Sequence, residues 1–387
     1  MKDRYGFIVE ALEGFPKVEL EDIRRFFGAK VPANIRKHEF VDRLGAYIVE
    51  NPSKWLSKML ERDLRLLRRL VDAGPDTPVC LDYPDYPSVL ETVHLLGSDT
   101  SDPDYRSVWI PSELYSIVAP HIDEAISNGE ADGSFEMERA ALGYLNLYGA
   151  MMLDDFYDRM LDYWDYSGKT DLKVFMARLF DSPVVKLCLV NVGDGRYVSS
   201  PNVYDTDALV RGWDAYPDVK GFRKFTPKEA LEAGAGAPYF VCRLGTREGR
   251  KLVRMLSGLG YSGEDLVRVE HDIWMNSQMV SESDTTEAIF SAVTRKQDAI
   301  DTFEEYNACM EIVADYANRL PKWLLKGHSA KETNYLKVVL RTEEDTLETL
   351  VRKNPLLGLY VHPAPMDSPC PCGSGLSYRF CHGKRLN

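Results

Sequence analysis

Trp55, Leu56, Met59, Leu60, Leu64, Leu67 and Leu70 recur at three- and four-residue spacings through NPSKWLSKMLERDLRLLRRLVDAG. Only a helix of about 3.6 residues per turn gathers such a set on one face, and Lys and Arg fill the other. The spacing predicts a helix over 51–74, with Asn51 as cap, Pro52 at the first helical position and Gly74 with Pro75 as the stop. Related patterns occur in VELEDIRRFFGA and KHEFVDRLGAYIVE, then in PSELYSIVAPHIDEAISNG, a long run from Phe135 to Tyr166, and TREGRKLVRMLSGLG. Residues 284–319 and 331–353 add two more, separated by RLPKWLLKGHSA. The expected fold class is mainly α.

A minor β component interrupts this pattern. Residues 184–192 are dense in Val and Leu, Gly193-Asp194-Gly195 supplies turn chemistry, and RYVSS can return as a second strand. PYFVCRL near 238–244 is a candidate third strand. Prolines and turn residues flank a short apolar helix around Val89 to Leu96, which suggests a boundary within 76–110. A chain of 387 residues is too long for one ordinary core. The expected divisions are a helical segment 1–75, a helical domain 76–183, an α+β then helical domain 184–360, and a tail 366–387.

Charge narrows the partners. The formal net charge is -13. Residues 1–73 carry fifteen Lys and Arg against twelve Asp and Glu, so this head is +3 and the rest -16. Such a body does not coat nucleic acid or anionic lipid along its length, but the head leaves room for local phosphate contact. No run of eighteen apolar residues exists, and MKDRYGFIVEALEG lacks the apolar stretch and cleavage site of a signal peptide. The expectation is a cytoplasmic chain with no membrane partner. Cysteines at 80, 188, 242 and 309 stand singly and read as buried thiols, not as a disulfide framework.

The other three cysteines crowd into the tail, CPCGSGLSYRFCHGKRLN. Cys370 and Cys372 flank one residue, Cys381 and His382 are adjacent, and eight residues between the pairs can turn the backbone around an ion. Structural zinc takes four such thiolate and imidazole ligands in a tetrahedron. Gly373, Ser374 and Gly375 allow a tight bend beside the first pair, and Pro371 stiffens it. Zn2+ is the expected cofactor. A shell closed by four protein ligands has no place for an activated water, so the expected role is structural.

This pattern, C-P-C-G-S-G, five residues, then C-H-G, resembles the SEC-C motif, the zinc-binding segment at the C terminus of the preprotein translocase ATPase and of many otherwise unrelated bacterial proteins. Matched residue by residue, the resemblance implies that Cys370, Cys372, Cys381 and His382 are the ligands and that Tyr378 packs against the knuckle. Leu376 and Ser377 depart from the lysine-rich translocase version, while Arg379, Lys384 and Arg385 keep part of its basic character. The resemblance covers about twenty residues, and no G-x-x-x-x-G-K-[ST] loop accompanies it.

At the other end, VELEDIRRFFGAKVPANIRKHEFVDRLGAYI places two short helices around an extended link, with Leu20, Ile23 and Phe27 facing Phe40, Leu44 and Tyr47. This looks like the helix-extension-helix of SAP domains and the similar N-terminal segment of the Rho terminator family. The resemblance implies phosphate contacts at Arg36 and Lys37, with Arg24, Arg25 and Lys30 nearby. Glu19, Glu21, Asp22, Glu39 and Asp42 dilute the positive field.

Asp154, Asp155 and Asp158 spell D-D-x-x-D, the magnesium-diphosphate pattern of isoprenoid synthases, which would make a metal-dependent hydrolase or transferase. No second aspartate-rich partner is evident, and Asp162 and Asp165 continue the same acidic face, so a solvated or partner-facing stripe is the favoured reading. His328 sits in LPKWLLKGHSAKET, which resembles a segment recurring in uncharacterised SEC-C proteins, and reads as a packed turn before a helix capped at Ser329 or Thr333. No nucleophile elbow, H-E-x-x-H or phosphate loop argues for an enzyme. The expected function is a non-enzymatic zinc-binding adaptor that contacts a protein or ribonucleoprotein partner. The rival is a nucleic-acid-binding regulator acting through residues 18–48.

Overall fold

A computed structural model describes residues 6–82, 88–101, 105–168, 171–235, 246–278, 293, 300, 302–333, 368 and 377. The fold is mainly α, with two small antiparallel sheets. It begins with Gly6–Glu13 (α1), Lys17–Phe27 (α2), Lys37–Glu50 (α3), Pro52–Leu56 (α4) and Glu61–Ala73 (α5). Gly28 ends α2 at φ 68, a left-handed turn that suits a residue without Cβ. Leu20, Phe27, Phe40, Leu44, Trp55 and Leu67 are all buried in one core. Within it the Trp55 indole donates to the Ile48 carbonyl at 2.9 Å, so the largest side chain leaves no donor unmet.

Sequence spacing predicts one helix over 51–74, but the chain breaks between α4 and α5. Leu60 is extended at φ -64, ψ 146, and offers no side-chain cap to α5. The Glu138 carboxyl group takes the Glu61 N–H at 3.0 Å, a bond that a continuous helix would give to its own backbone. The kink sends Met59 into the first core and Leu60 into a second.

Three strands follow in the order β1-β3-β2: Val79–Asp82 (β1), Gly97–Asp99 (β2) and Tyr105–Trp109 (β3), with Val89–Thr92 (α6) between β1 and β2. The apolar stretch expected as a helix to Leu96 therefore stops after one turn. A buried ion pair, Arg106 to Glu91 at 3.1 Å, ties α6 to β3, and burial holds the Glu91 carboxyl above its usual range. Ser112–Val118 (α7) and Ile122–Ala131 (α8) close this first core, which runs from Ile8 to Phe135 and draws on both sides of position 75.

The second core is built on Ser134–Tyr148 (α9), whose residues from Ala140 to Tyr148 are almost all buried. The run from Phe135 to Tyr166 is not one helix: Gly149 turns at φ 78, Ala150–Met152 forms β4, and Leu153–Ser167 is α10. Any Cβ at Gly149 would lie 2.6 Å from the Trp323 ring, so contact and conformation both require glycine here. Leu172–Asp181 (α11) and Pro183–Cys188 (α12) follow. The predicted hairpin forms from Leu189–Val192 (β5) and Gly195–Ser199 (β6) around Gly193-Asp194. Its first strand is shorter than expected because the Ser182 hydroxyl caps Pro183–Cys188 as a helix. The third strand is β4, giving the order β4-β6-β5, and the candidate at 238–244 lies outside the described residues.

Thr206–Gly212 (α13), Pro227–Gly234 (α14), Arg247–Gly258 (α15), Gly263–Asn276 (α16), Phe303–Ala317 (α17) and Ala330–Thr333 (α18) complete the described chain. α14 crosses α9 backbone to backbone. A Cβ on Gly143 would fall 1.7 Å from the Ala230 carbonyl oxygen, and one on Gly234 would fall 1.7 Å from that of Arg139. The stretch before α18 is the packed turn expected from sequence. Trp323 donates to the Asn146 carbonyl at 2.8 Å, Lys322 to that of Ser277 at 2.7 Å, and Trp213 to that of Trp323 at 2.9 Å. Ser329 and Glu332 exchange hydrogen bonds at 3.3 and 2.8 Å, the reciprocal cap of a helix start.

Candidate functional site

Cys370, Cys372, Cys381 and His382 lie outside the described residues, as does Cys242. Among the described residues no group of three or more His, Cys, Asp or Glu is placed to hold a metal ion. The thiols there are free and scattered. Cys188 is buried as expected, and desolvation pushes its thiol up to about 12. Cys309 is half-buried, whereas Cys80 is exposed, a correction. Cys80 stands on β1, where alternate side chains leave the core and the sulfur lies 3.7 Å from the Ser107 hydroxyl.

The N-terminal basic residues divide into two groups. Lys37 opens α3 and donates to the Glu13 carbonyl at the end of α1 at 2.7 Å, while Lys17 donates to that of Ile35 at 2.8 Å. Arg36 occupies the cap position beside them and is exposed. Arg24 and Arg25 lie in the last turn of α2, about eight residues or roughly 12 Å along the helix from Lys17, and Lys30 follows its C-cap Gly28. Arg24 donates to the Val31 carbonyl at 3.1 Å, and Arg25 pairs with Asp22 at 3.2 Å. Of the five candidates, Lys30 and Arg36 stand exposed without such a bond. The facing set Leu20, Ile23, Phe27, Phe40 and Leu44 is buried, but Tyr47 is half-buried and Ile48 takes the inner position.

Asp154, Asp155 and Asp158 lie on α10 with Asp162 and Asp165, all on its exposed side. Asp162 pairs with Arg159 at 2.8 Å. The first two sit in the opening turn, where the helix dipole favours negative charge. His328 bonds the Gly221 carbonyl at 3.1 Å, and its backbone carbonyl accepts from Lys322.

Three features escape a sequence reading. The first is the junction of the two cores, where Glu61 is held by Arg65 and Arg139, and Arg65 also meets Glu130 at 3.0 Å. These guanidinium groups draw the Glu61 carboxyl below its usual range against the opposing effect of burial. Glu138 beside them is buried, and desolvation, reinforced by the charges of Glu61 and Asp63, raises its carboxyl to about 8. The second is a cavity of about 280 Å³ between the cores, whose lining includes Leu60, Asp63, Leu142, Cys188, Ser199 and Thr206. The third is Glu270, His271 and Asp272, three consecutive ionisable residues buried on α16. Their place between the apolar residues Val267 and Val269 on one side and Ile273, Trp274 and Met275 on the other was the available signal for it.

No family model, curated protein or solved structure matches the chain. No described helix is long and apolar enough to cross a membrane.

Proposed function

We propose that the chain is a non-enzymatic, cytoplasmic, zinc-binding adaptor. Its tail holds one structural zinc through Cys370, Cys372, Cys381 and His382, and the ordered knuckle contacts a protein or ribonucleoprotein partner. One observation carries this reading: three thiols and an imidazole fall within thirteen residues, at spacings that let one ion take all four. The donor set suits zinc, which accepts soft sulfur and borderline nitrogen together. So short a segment cannot bury a core of its own, which couples its folding to the metal. The scatter of free thiols at 80, 188 and 309 supports the tail as the place where thiolate ligands gather.

Affinity capture with the intact chain and with a chain ending at Asp367 tests this reading. The intact chain captures a specific partner that the shorter one loses. Capture of the same proteins by both removes the tail as the recruiting surface.

A second reading, a nucleic-acid-binding regulator, is favoured by the exposed Arg36 at the cap of α3, since helix N-termini attract anions and basic neighbours release counterions. It requires a salt-dependent complex with nucleic acid that Arg36→Glu with Lys37→Glu abolishes. Retention of that complex by the double variant excludes residues 18–48 as the contact.

A further inference from the structure

A separate surface runs along α10 and α11, and it depends on neither the tail nor the basic head. Phe156, Met160 and Tyr163 are the inward face of α10, so Tyr157, Leu161 and Trp164 fall on one flank. α11 runs alongside in the opposite direction, with Phe180 5.4 Å from Tyr157 and Phe175 6.4 Å from Trp164. Met176 and Phe180 share the flank of α11 that meets α10. Tyr157, Leu161 and Met176 are only half-buried, and Phe180 is 58% exposed. These side chains form a half-exposed apolar seam between two helices, the kind of surface that marks interaction sites.

Charge decides what such a seam accepts. Immediately outside Tyr157 and Leu161 on α10 come Asp154, Asp158 and Asp165, followed by Asp155 and Asp162. Among the described residues only Asp162 of these five is in an ion pair. Asp154, Asp158 and Asp162 repeat at four-residue intervals, an arrangement in which like charges repel and weaken a helix. Among the described residues the basic groups nearby are few: Arg159 is held by Asp162, Lys186 by Asp181 at 2.9 Å, Lys173 is exposed on α11, and Arg196 on β6 lies within electrostatic reach of Tyr157.

We propose that the α10–α11 seam docks a basic amphipathic helix of a partner protein. Apolar residues of that helix at three- and four-residue spacing pack on Phe180, Tyr157 and Leu161, and its Lys and Arg reach Asp154, Asp158 and Asp165. The same field repels an acidic peptide or an anionic lipid surface.

Fluorescence anisotropy with the full chain tests this, using a labelled peptide of about four helical turns that alternates Leu and Lys at amphipathic spacing, and its Leu/Glu counterpart. The Leu/Lys peptide binds, more weakly as salt rises, and the Leu/Glu peptide does not. Affinity falls about tenfold in Phe180→Ser and again in Asp154→Asn/Asp158→Asn/Asp165→Asn. All four side chains are exposed, so the variants keep the fold. A control neutralising Glu10, Glu19 and Asp42, exposed on α1 to α3, binds as the parent does. Absence of binding overturns the proposal, as does a control that weakens binding as much as the seam variants do, since the peptide then reads only net charge.

Discussion

Replacing Gly143 by Ala tests the backbone-to-backbone crossing of α9 and α14. The new methyl carbon would stand 1.7 Å from the Ala230 carbonyl oxygen and 2.9 Å from the Gly234 nitrogen, where ordinary contact begins at 3.4 Å. Both obstacles are backbone, so no rotamer relieves the clash and the helices must part by more than 1 Å, a rough figure at which packed neighbours already lose much of their dispersion attraction. Overpacking of this kind costs about 1–3 kcal/mol or more. Parting also strains the bond from the Asn146 amide to the Ala233 carbonyl at 3.2 Å, worth about 1 kcal/mol. Against these stands the gain of about 1 kcal/mol for Ala over Gly within a helix. The net expectation is destabilisation of about 1–3 kcal/mol by urea titration followed by Trp fluorescence. Gly258→Ala is the internal control, because that glycine ends α15 with no atom of the described residues within 4 Å of a new Cβ and should be neutral or gain a few tenths, at most about 1 kcal/mol. If the two substitutions shift the midpoint alike, the inferred close crossing is wrong.

The Glu138 carboxyl is raised from its unfolded range to about 8, so the folded state holds its proton longer than the unfolded state. Its contribution therefore falls as pH rises from about 4.5 to 8, by up to about 1.4 kcal/mol per pH unit. Denaturant titrations at several pH values should show that Glu138→Gln flattens this slope and exceeds the parent in stability above pH 8; identical pH profiles for the two would rule it out. Alkylation of the native chain followed by peptide mass analysis should label exposed Cys80 quickly and buried Cys188 only on unfolding, and equal rates would contradict their placement. Trp323→Phe removes the donor to the Asn146 carbonyl and should cost about 1–2 kcal/mol by thermal or urea unfolding, whereas a neutral result would mean that this bond does not hold the turn.

What could be read in advance depended on how far apart the deciding residues lie. Helices α2 and α3 were legible because Leu20, Ile23, Phe27, Phe40 and Leu44 report their own period, and Gly28 marks a stop locally. The break before α5 was not, because the carboxyl group that takes the Glu61 N–H belongs to a residue 77 positions later. Strand β4 hid inside a helical run for the same reason: it exists as a partner for β6, with Met151 opposite Val198, and three residues carry no period. Sheet β1-β3-β2 is likewise made of strands of three to five residues among turn formers.

The candidate sites followed the same rule. Arg24 and Lys37 look available in sequence, yet the Val31 and Glu13 carbonyls take their donors through folding of the α1–α3 unit. The buried junction around Glu61 and Glu138 has no motif, since its members come from α5, α8 and α9. The acidic side of α10 was legible because its spacing alone puts the carboxylates together. The tail ligand set is legible for an equally local reason: four donors within thirteen residues need no distant partner to meet one ion.

Zinc content of the full chain, measured by mass spectrometry of the dissolved metal after purification without chelator, addresses that last point most directly. One zinc per chain is expected, and its loss in Cys370→Ser/Cys372→Ser while the helical circular dichroism of the body persists. A parent chain without stoichiometric zinc, or a double variant that keeps its full complement, would contradict it.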